Sequence, residues 1–343
     1  MERRVACVAV LTAVLVAAPA AALEMAVEIV EGPAPVTGVE ATSRGGFAGG
    51  SGAYLDTADG VLLATPCDEA WCLDATEPEP RLPVPAGSPE VLPDSSVASA
   101  PGDPTLAWYV LPTTRYAHAV LGDAIEAGGL AISSGTQGDD APLVATLPEQ
   151  DVFEDITPRL VDLDGDGRNE VVTLMSGASS GGSLGVWGVR DGGVALLART
   201  PPIGRPNRWL NVAAIEDFDG DGVADVALVE TPHIGGELQL WSGASLLAGA
   251  SRMIAAERGF SNHAIGSRAL DLSEVVTTDG GPVLILPSAD RRALRAVRYA
   301  GGRWEDVARA SLPAPIATDM ASVGADLALG LADGRLARVK LRP

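Results

Sequence analysis

Two short acidic segments hold residue types and spacings that can do chemistry. Asp162-Leu-Asp164-Gly-Asp166-Gly-Arg168-Asn-Glu170 places carboxylates at loop positions 1, 3, 5 and 9, and Asp217-Phe-Asp219-Gly-Asp221-Gly-Val223-Ala-Asp225 repeats the scheme. A hard cation such as Ca²⁺ takes six to eight oxygens at about 2.4 Å, and a tight loop can aim several of them from one segment. Gly167 and Gly222, at position 6, permit the positive φ that such a turn demands. Position 7, Arg168 or Val223, adds a backbone carbonyl. The pattern is not that of an EF-hand. That loop ends on a bidentate Glu at position 12 and leads into a helix, whereas Thr173 and Leu228 stand there, within strand-like runs at 171–174 and 226–229.

The elements that position these loops recur along the chain. Leu160-VDLDGDGRNEVVTL and Ile215-EDFDGDGVADVALV lie directly on each other. The same outline returns without the acidic loop at Leu270-DLSEVVTTDGGPVLIL, led by Asp271, and at Ile316-ATDMASVGADLALGL, led by Asp319. The leading aspartates are 55, 54 and 48 residues apart. Periods of that size with no helical spacing between them indicate propeller blades or a β-solenoid. Within a period the β-type runs follow one another at 226–230, 237–241 and 251–257, then at 283–287, 294–300 and 304–310, separated by turns such as Gly235-Gly236 and Gly301-Gly302. With the lead-in strand, each period holds four antiparallel strands, which is one blade. The repeats are clearest over 158–343. Residues 115–156 read as a degenerate blade or as parts of two, and 40–112 offer strands without a clean register. The expected fold is an all-β propeller of seven four-stranded blades, six being the alternative count. The last period has only three strands before the chain ends, so Met25–Val30 are expected to supply the fourth and close the ring.

At these residues the chain resembles the FG-GAP/VCBS repeats of integrin-type β-propellers. The resemblance implies that each acidic loop joins the first two strands of a blade and binds calcium. It implies ligands from Asp162, Asp164, Asp166, the Arg168 carbonyl and Glu170, and from Asp217, Asp219, Asp221, the Val223 carbonyl and Asp225. It reaches four repeats, of which two keep the loop. No Phe-Gly or Gly-Ala-Pro signature flanks either loop and Glu170 stands where Asp is usual, so an integrin-like role is not implied.

Strand parity locates a second set of candidates. In an antiparallel blade the connection into the first strand and the turn between the second and third lie opposite the acidic loops. Trp209 and His263 each stand eight residues before a leading aspartate, so 205–211 and 259–268 occupy equivalent places in neighbouring blades. The turns around His233 and Arg291, and the segment 113–118, point the same way. That face is expected to gather Arg115, His118, Arg208, Trp209, Asn211, His233, His263 and Arg268 as exposed ligand-binding candidates. Basic and aromatic residues near a central funnel suit a polar or anionic ligand. The alternative at each position is local pairing or packing.

Composition bounds the rest. Lys and Arg total 24 against 45 Asp and Glu, which disfavours nucleic acid and anionic lipid as partners. Forty glycines and 25 prolines beside 47% hydrophobic residues fit many short strands joined by turns. Residues 1–22 have the basic start, apolar run and small-residue end of an export signal cleaved after Ala22, and the run is too short to span a bilayer. Residues 23–343 then form one domain, periplasmic or secreted, with no membrane span. With Cys7 in the signal, Cys67 and Cys72 remain and are expected to form a local disulfide. No nucleophile elbow, zincin helix or phosphate loop is present. The expected function is a non-enzymatic, calcium-stabilised binding or scaffold domain for a protein, a glycan or a small polar or anionic ligand. The alternative is a lyase or hydrolase using a His/Arg-lined funnel.

Overall fold

The structure, a computed structural model, describes residues 23–32, 35–42, 52–68, 70–78, 80–134 and 141–342. The expected export signal lies outside the described residues. Strand β1 (Glu24–Val30) opens the described chain. A first four-stranded sheet follows: β2 (Val36–Ala41), β3 (Ala53–Thr57), β4 (Gly60–Cys67) and β5 (Ala70–Thr76). Next come β6 (Ala98–Ser99), β7 (Leu106–Thr113), β8 (Glu126–Ser133) and β9 (Leu143–Thr146), then β10 (Asp151–Phe153). The third group is β11 (Arg159–Val161), β12 (Glu170–Gly177), β13 (Gly181–Arg190) and β14 (Gly193–Arg199). It is followed by β15 (Leu210–Glu216), β16 (Asp225–Glu230), β17 (Glu237–Trp241), the short helix α1 (Gly243–Leu247) and β18 (Met253–Arg258). The fifth is β19 (Glu274–Thr278), β20 (Gly281–Pro287), β21 (Ala293–Ala300) and β22 (Arg303–Ser311). The last is β23 (Ile316–Val323), β24 (Asp326–Leu331) and β25 (Leu336–Arg342).

All pairings within these groups are antiparallel and sequential, as short strands joined by tight turns dictate. The molecule is an all-β propeller. Strand β10 pairs with both β8 and β12, which merges the second and third groups into one nine-stranded sheet. The described strands thus fall into four four-stranded sheets and one nine-stranded sheet. Strand β1 completes the last unit by pairing with β25 over seven residues, Glu24 opposite Arg342 through Val30 opposite Leu336. That is the loan expected of Met25–Val30, extended by one residue. It covers an edge that would otherwise be bare.

Apolar layers fill the spaces between neighbouring units. Val172, Leu174, Leu184 and Val186 meet Leu210, Val212, Val226 and Leu228 between the third and fourth. Further layers join the fourth to the fifth through Leu238 and Leu284, and the fifth to the last through Ile285 and Leu329. The last reaches the first through Val323 and Val39, and the second meets the third through Leu130 and Val171. Trp108, buried on the remaining face of the second unit, packs with Val91 and Val97 of the long connection after β5. The cysteines Cys67 and Cys72 are bonded across the β4–β5 hairpin.

Candidate functional site

Each acidic loop is folded by its own first carboxylate. Asp162 accepts the backbone N–H groups of Gly165 (2.8 Å), Asp166 (3.1 Å) and Gly167 (2.8 Å). Asp217 does the same with Gly220 (2.8 Å), Asp221 (3.1 Å) and Gly222 (3.0 Å). Asp164 accepts from Asp166 N and Asp166 from Arg168 N, as Asp219 accepts from Asp221 N and Asp221 from Val223 N. Gly167 and Gly222 adopt φ of 86° and 88°, the left-handed turn for which glycine was required.

The consequence is a crowd of like charges. Carboxylate oxygens of Asp162, Asp164 and Asp166 lie within 4.8 Å of one another, and so do those of Asp217, Asp219 and Asp225. Such spacing suits oxygens that share one cation and repels without it. The ninth positions face inward. Glu170 accepts from Leu163 N (3.3 Å), and Asp225 accepts from Asp219 N (3.2 Å) and from Gly243 N (3.0 Å) at the start of α1. Burial raises the Glu170 carboxyl to about 7 and that of Asp225 to about 6, with the neighbouring aspartates adding to it. The loops are joined, because Ala224 N donates to the Leu163 carbonyl at 2.8 Å. The turn before β7 clasps the first loop, through Asp103 N to Gly167 O (3.2 Å) and Asn169 N to Asp103 O (2.9 Å). Both loops link the first and second strands of their units.

The opposite face carries the turns between second and third strands and the connections from one unit to the next. All three histidines are there. His233 Nε2 lies 2.7 Å from His263 Nδ1, and His263 Nε2 lies 2.9 Å from the Ser267 carbonyl. A carbonyl only accepts, so His263 carries its proton on Nε2 and His233 is the donor in the ring-to-ring bond. The Trp209 indole stacks on His233 at 2° between planes and meets His263 edge-on, with centroids 4.7 Å apart. Its Nε1 donates to the Glu154 carbonyl at 2.9 Å. The Glu154 side chain holds His118 Nδ1 at 2.6 Å and accepts a short bond from the Ser176 hydroxyl.

Three of the expected ligand-binding residues are not available at the surface. Trp209 is 2% exposed, and Asn211 and His263 are fully buried. Asn211 Nδ2 donates to the carbonyls of Leu270 (2.7 Å) and Asn262 (3.3 Å), while Asn262 Nδ2 returns a bond to Val212 O (3.1 Å). Neighbouring segments cover them there. Arg268 pairs with Asp123 (2.5 Å) and Asp94 (2.9 Å). Arg115 donates to the carbonyls of Asp151 and Pro148, and Arg208 to that of Asn207. His118 and His233 are partly exposed. The exposed Ile234 and Ile265 flank the histidine pair.

Glu126, Glu154 and Ser176 complete this region without a sequence signal, since each lies in an unremarkable strand or strand end. Glu126 is 2% exposed. Burial first, then the like charges of Glu154, Asp123 and Asp155, lift its carboxyl to about 9 against the opposing pull of Arg268. Its proton is thus held in the folded state at neutral pH. Relative to an unfolded value near 4.5, this stabilises fully below about pH 4.5 and is lost as pH rises to about 9, at up to about 1.4 kcal/mol per unit. Glu126→Gln keeps the neutral form at every pH. Urea unfolding is expected to show the variant gaining on the wild type progressively between pH 5 and 9, with equal stability profiles counting against a buried neutral acid.

Comparison with known proteins gives one family match. Residues 162–228 match the FG-GAP-like repeat, from the first acidic loop into the strand after the second. The chain is also similar to the WD40 domain of coronin from Toxoplasma gondii, at 11% identity over 93% of this chain and 86% of that one, with a TM-score of 0.46. No curated protein matches it.

Proposed function

We propose that the chain is an exported β-propeller, stabilised by calcium at its two acidic loops, that serves as a non-enzymatic binding or scaffold domain and meets its ligand on the opposite face. The observation that carries this reading is the hydrogen-bonding scheme common to both loops. In each, the first carboxylate spends three backbone bonds on holding other carboxylates together, an arrangement that repels itself unless a cation shares the oxygens. The residues fit the ion: side-chain oxygens at positions 1, 3, 5 and 9 with the Arg168 or Val223 carbonyl make a hard, all-oxygen set. The FG-GAP-like match over both loops supports the same reading. Export is supported by the pattern of residues 1–22 and by the Cys67–Cys72 bond, which suits an oxidising compartment. For the ligand, Arg115 and Arg208 are the cationic contacts on the opposite face, because their guanidinium groups hold backbone carbonyls rather than carboxylates. A protein, a glycan or a small anionic molecule fits that chemistry.

Calcium that binds only the native state adds about 2.7 kcal/mol per site at a hundredfold excess over Kd. Asp164→Ala and Asp219→Ala are each expected to lower the melting temperature in calcium and to shrink the shift that EDTA causes. A melting curve identical in calcium and EDTA would remove the reading.

A further inference from the structure

The face opposite the acidic loops presents two large apolar side chains to solvent, Ile234 at 63% and Ile265 at 70% exposure. Both stand in tight turns, where small polar residues are the rule. Backbone bonds hold each turn in place. Ile234 N donates to Thr231 O (2.9 Å) and Thr231 N to Trp209 O (2.8 Å), while Ser267 N donates to Ala264 O (2.9 Å) and Gly266 N to Val120 O (2.8 Å). The bond between His233 and His263 at 2.7 Å ties one turn to the other. Arg291, in the turn between β20 and β21, reaches the same place, with Nη1 donating to the His263 carbonyl at 3.3 Å. The three segments thus form one fixed surface, which loses little freedom when a partner covers it.

The charge of this surface comes from Arg291. Among the described residues its hydrogen-bond partners are the His263 carbonyl and the Ser261 hydroxyl, and neither is a carboxylate. Asp290, next to it in sequence, is turned instead to the Ser288 hydroxyl (2.6 Å) and to Arg292 N (3.0 Å). Burial lowers the Arg291 guanidinium from its usual value without discharging it. The two imidazoles beside it are neutral at physiological pH, because burial foremost holds both at about 4. A half-buried cation without an acidic partner favours a carboxylate brought from outside. We infer that this surface docks an extended segment of another protein, in which an aliphatic side chain seated against Ile234 and Ile265 stands close to a carboxylate that pairs with Arg291. This role deepens the proposed binding by that face and rests on it. A small anion would leave both isoleucines bare. A glycan offers them little apolar surface, and Trp209, on which a sugar ring could stack, is 2% exposed. A second copy meeting this patch about a two-fold axis would set Arg291 against Arg291. The chain's formal net charge of -21 repels strongly acidic partners, so the segment carries its carboxylate at the contact rather than in an acidic run.

The test offers a displayed library of random linear peptides to the immobilised protein in calcium. Selected sequences are expected to share an aliphatic residue close to Asp, Glu or a free C-terminus. A synthetic peptide of the selected sequence is then titrated against the wild type and two variants. Ile265→Ser and Arg291→Gln are each expected to weaken binding at least about tenfold. Replacing the peptide's carboxylate by the amide should weaken binding to the wild type by a similar factor and leave binding to Arg291→Gln unchanged. That coupling distinguishes a direct contact from a turn that has lost its tie to His263. The Ile265 side chain is largely free of neighbours, so Ile265→Ser should melt with the wild type and report on docking alone. No enriched peptide, enriched peptides without a carboxylate, or affinity unchanged in Ile265→Ser overturns the assignment. Self-association of the wild type that Ile265→Ser abolishes would overturn it in favour of a second copy. If no peptide is selected but an oligosaccharide or a small anion binds, and Arg115→Ala or Arg208→Ala abolishes that binding, the peptide assignment falls and the binding role of the face stands.

Discussion

Removal of residues 23–31 is expected to abolish cooperative folding of the chain. Strand β1 contributes seven paired residues to the last unit, and it lies at the opposite end of the sequence from its partner β25. Met25, Val27 and Ile29 pack on the layer that holds Leu327, Leu329, Ala337 and Val339, and Lys340 Nζ bonds Glu28 at 2.7 Å. Without β1, the N–H and C=O groups of β25 that face it are left open as a template for another chain. The truncated protein should aggregate or melt over a broad range. Addition of a peptide with the sequence of residues 23–31 should restore a sharp transition. A soluble, cooperatively melting truncation with no response to the peptide would show that ring closure does not depend on this strand.

The second large effect belongs to Trp209. A residue expected to sit exposed at a binding face would cost under about 1 kcal/mol on truncation. The structure instead buries its indole in the layer between the third and fourth units, bonds its Nε1 to Glu154 O, and packs two imidazoles on it. Trp209→Ala is therefore expected to destabilise by about 3–5 kcal/mol, the range for a large aromatic removed from a core. Trp209→Phe keeps most of the packing and loses the N–H, so it should cost about 1–3 kcal/mol by leaving a buried carbonyl unpaired. Urea midpoints of the two variants decide the matter. A shift below about 1 kcal/mol for Trp209→Ala would return the residue to the surface.

Those two residues sets illustrate what could be read from the sequence. The acidic loops and their flanking strands were legible because every determinant is local: aspartates two apart, glycines between them, and a β-type run behind. The loan of β1 was legible as arithmetic, three strands at one end and one spare at the other. The merging of two groups into one nine-stranded sheet was not, because β10 is three residues long and pairs with both β8 and β12. Burial on the ligand face was not legible either. Parity assigns Asn211 and His263 to a face, but Asn211 is covered by the segment around Asn262 and His263 by the turn that carries His233, and the reciprocal amide bonds of Asn211 and Asn262 leave no trace in spacing. The Glu154 hub escaped for the same reason, since its partners His118, Ser176 and Trp209 come from three different connections and strands.

The proposed calcium sites, one ion in each acidic loop stabilising the propeller, can be counted directly. Calorimetric titration of chelator-treated protein with calcium measures this most directly. Two ions per chain are expected, falling to one in Asp164→Ala and to one in Asp219→Ala, with the lost site belonging to the altered loop. No heat of binding, or two ions bound undiminished in both variants, would contradict the account.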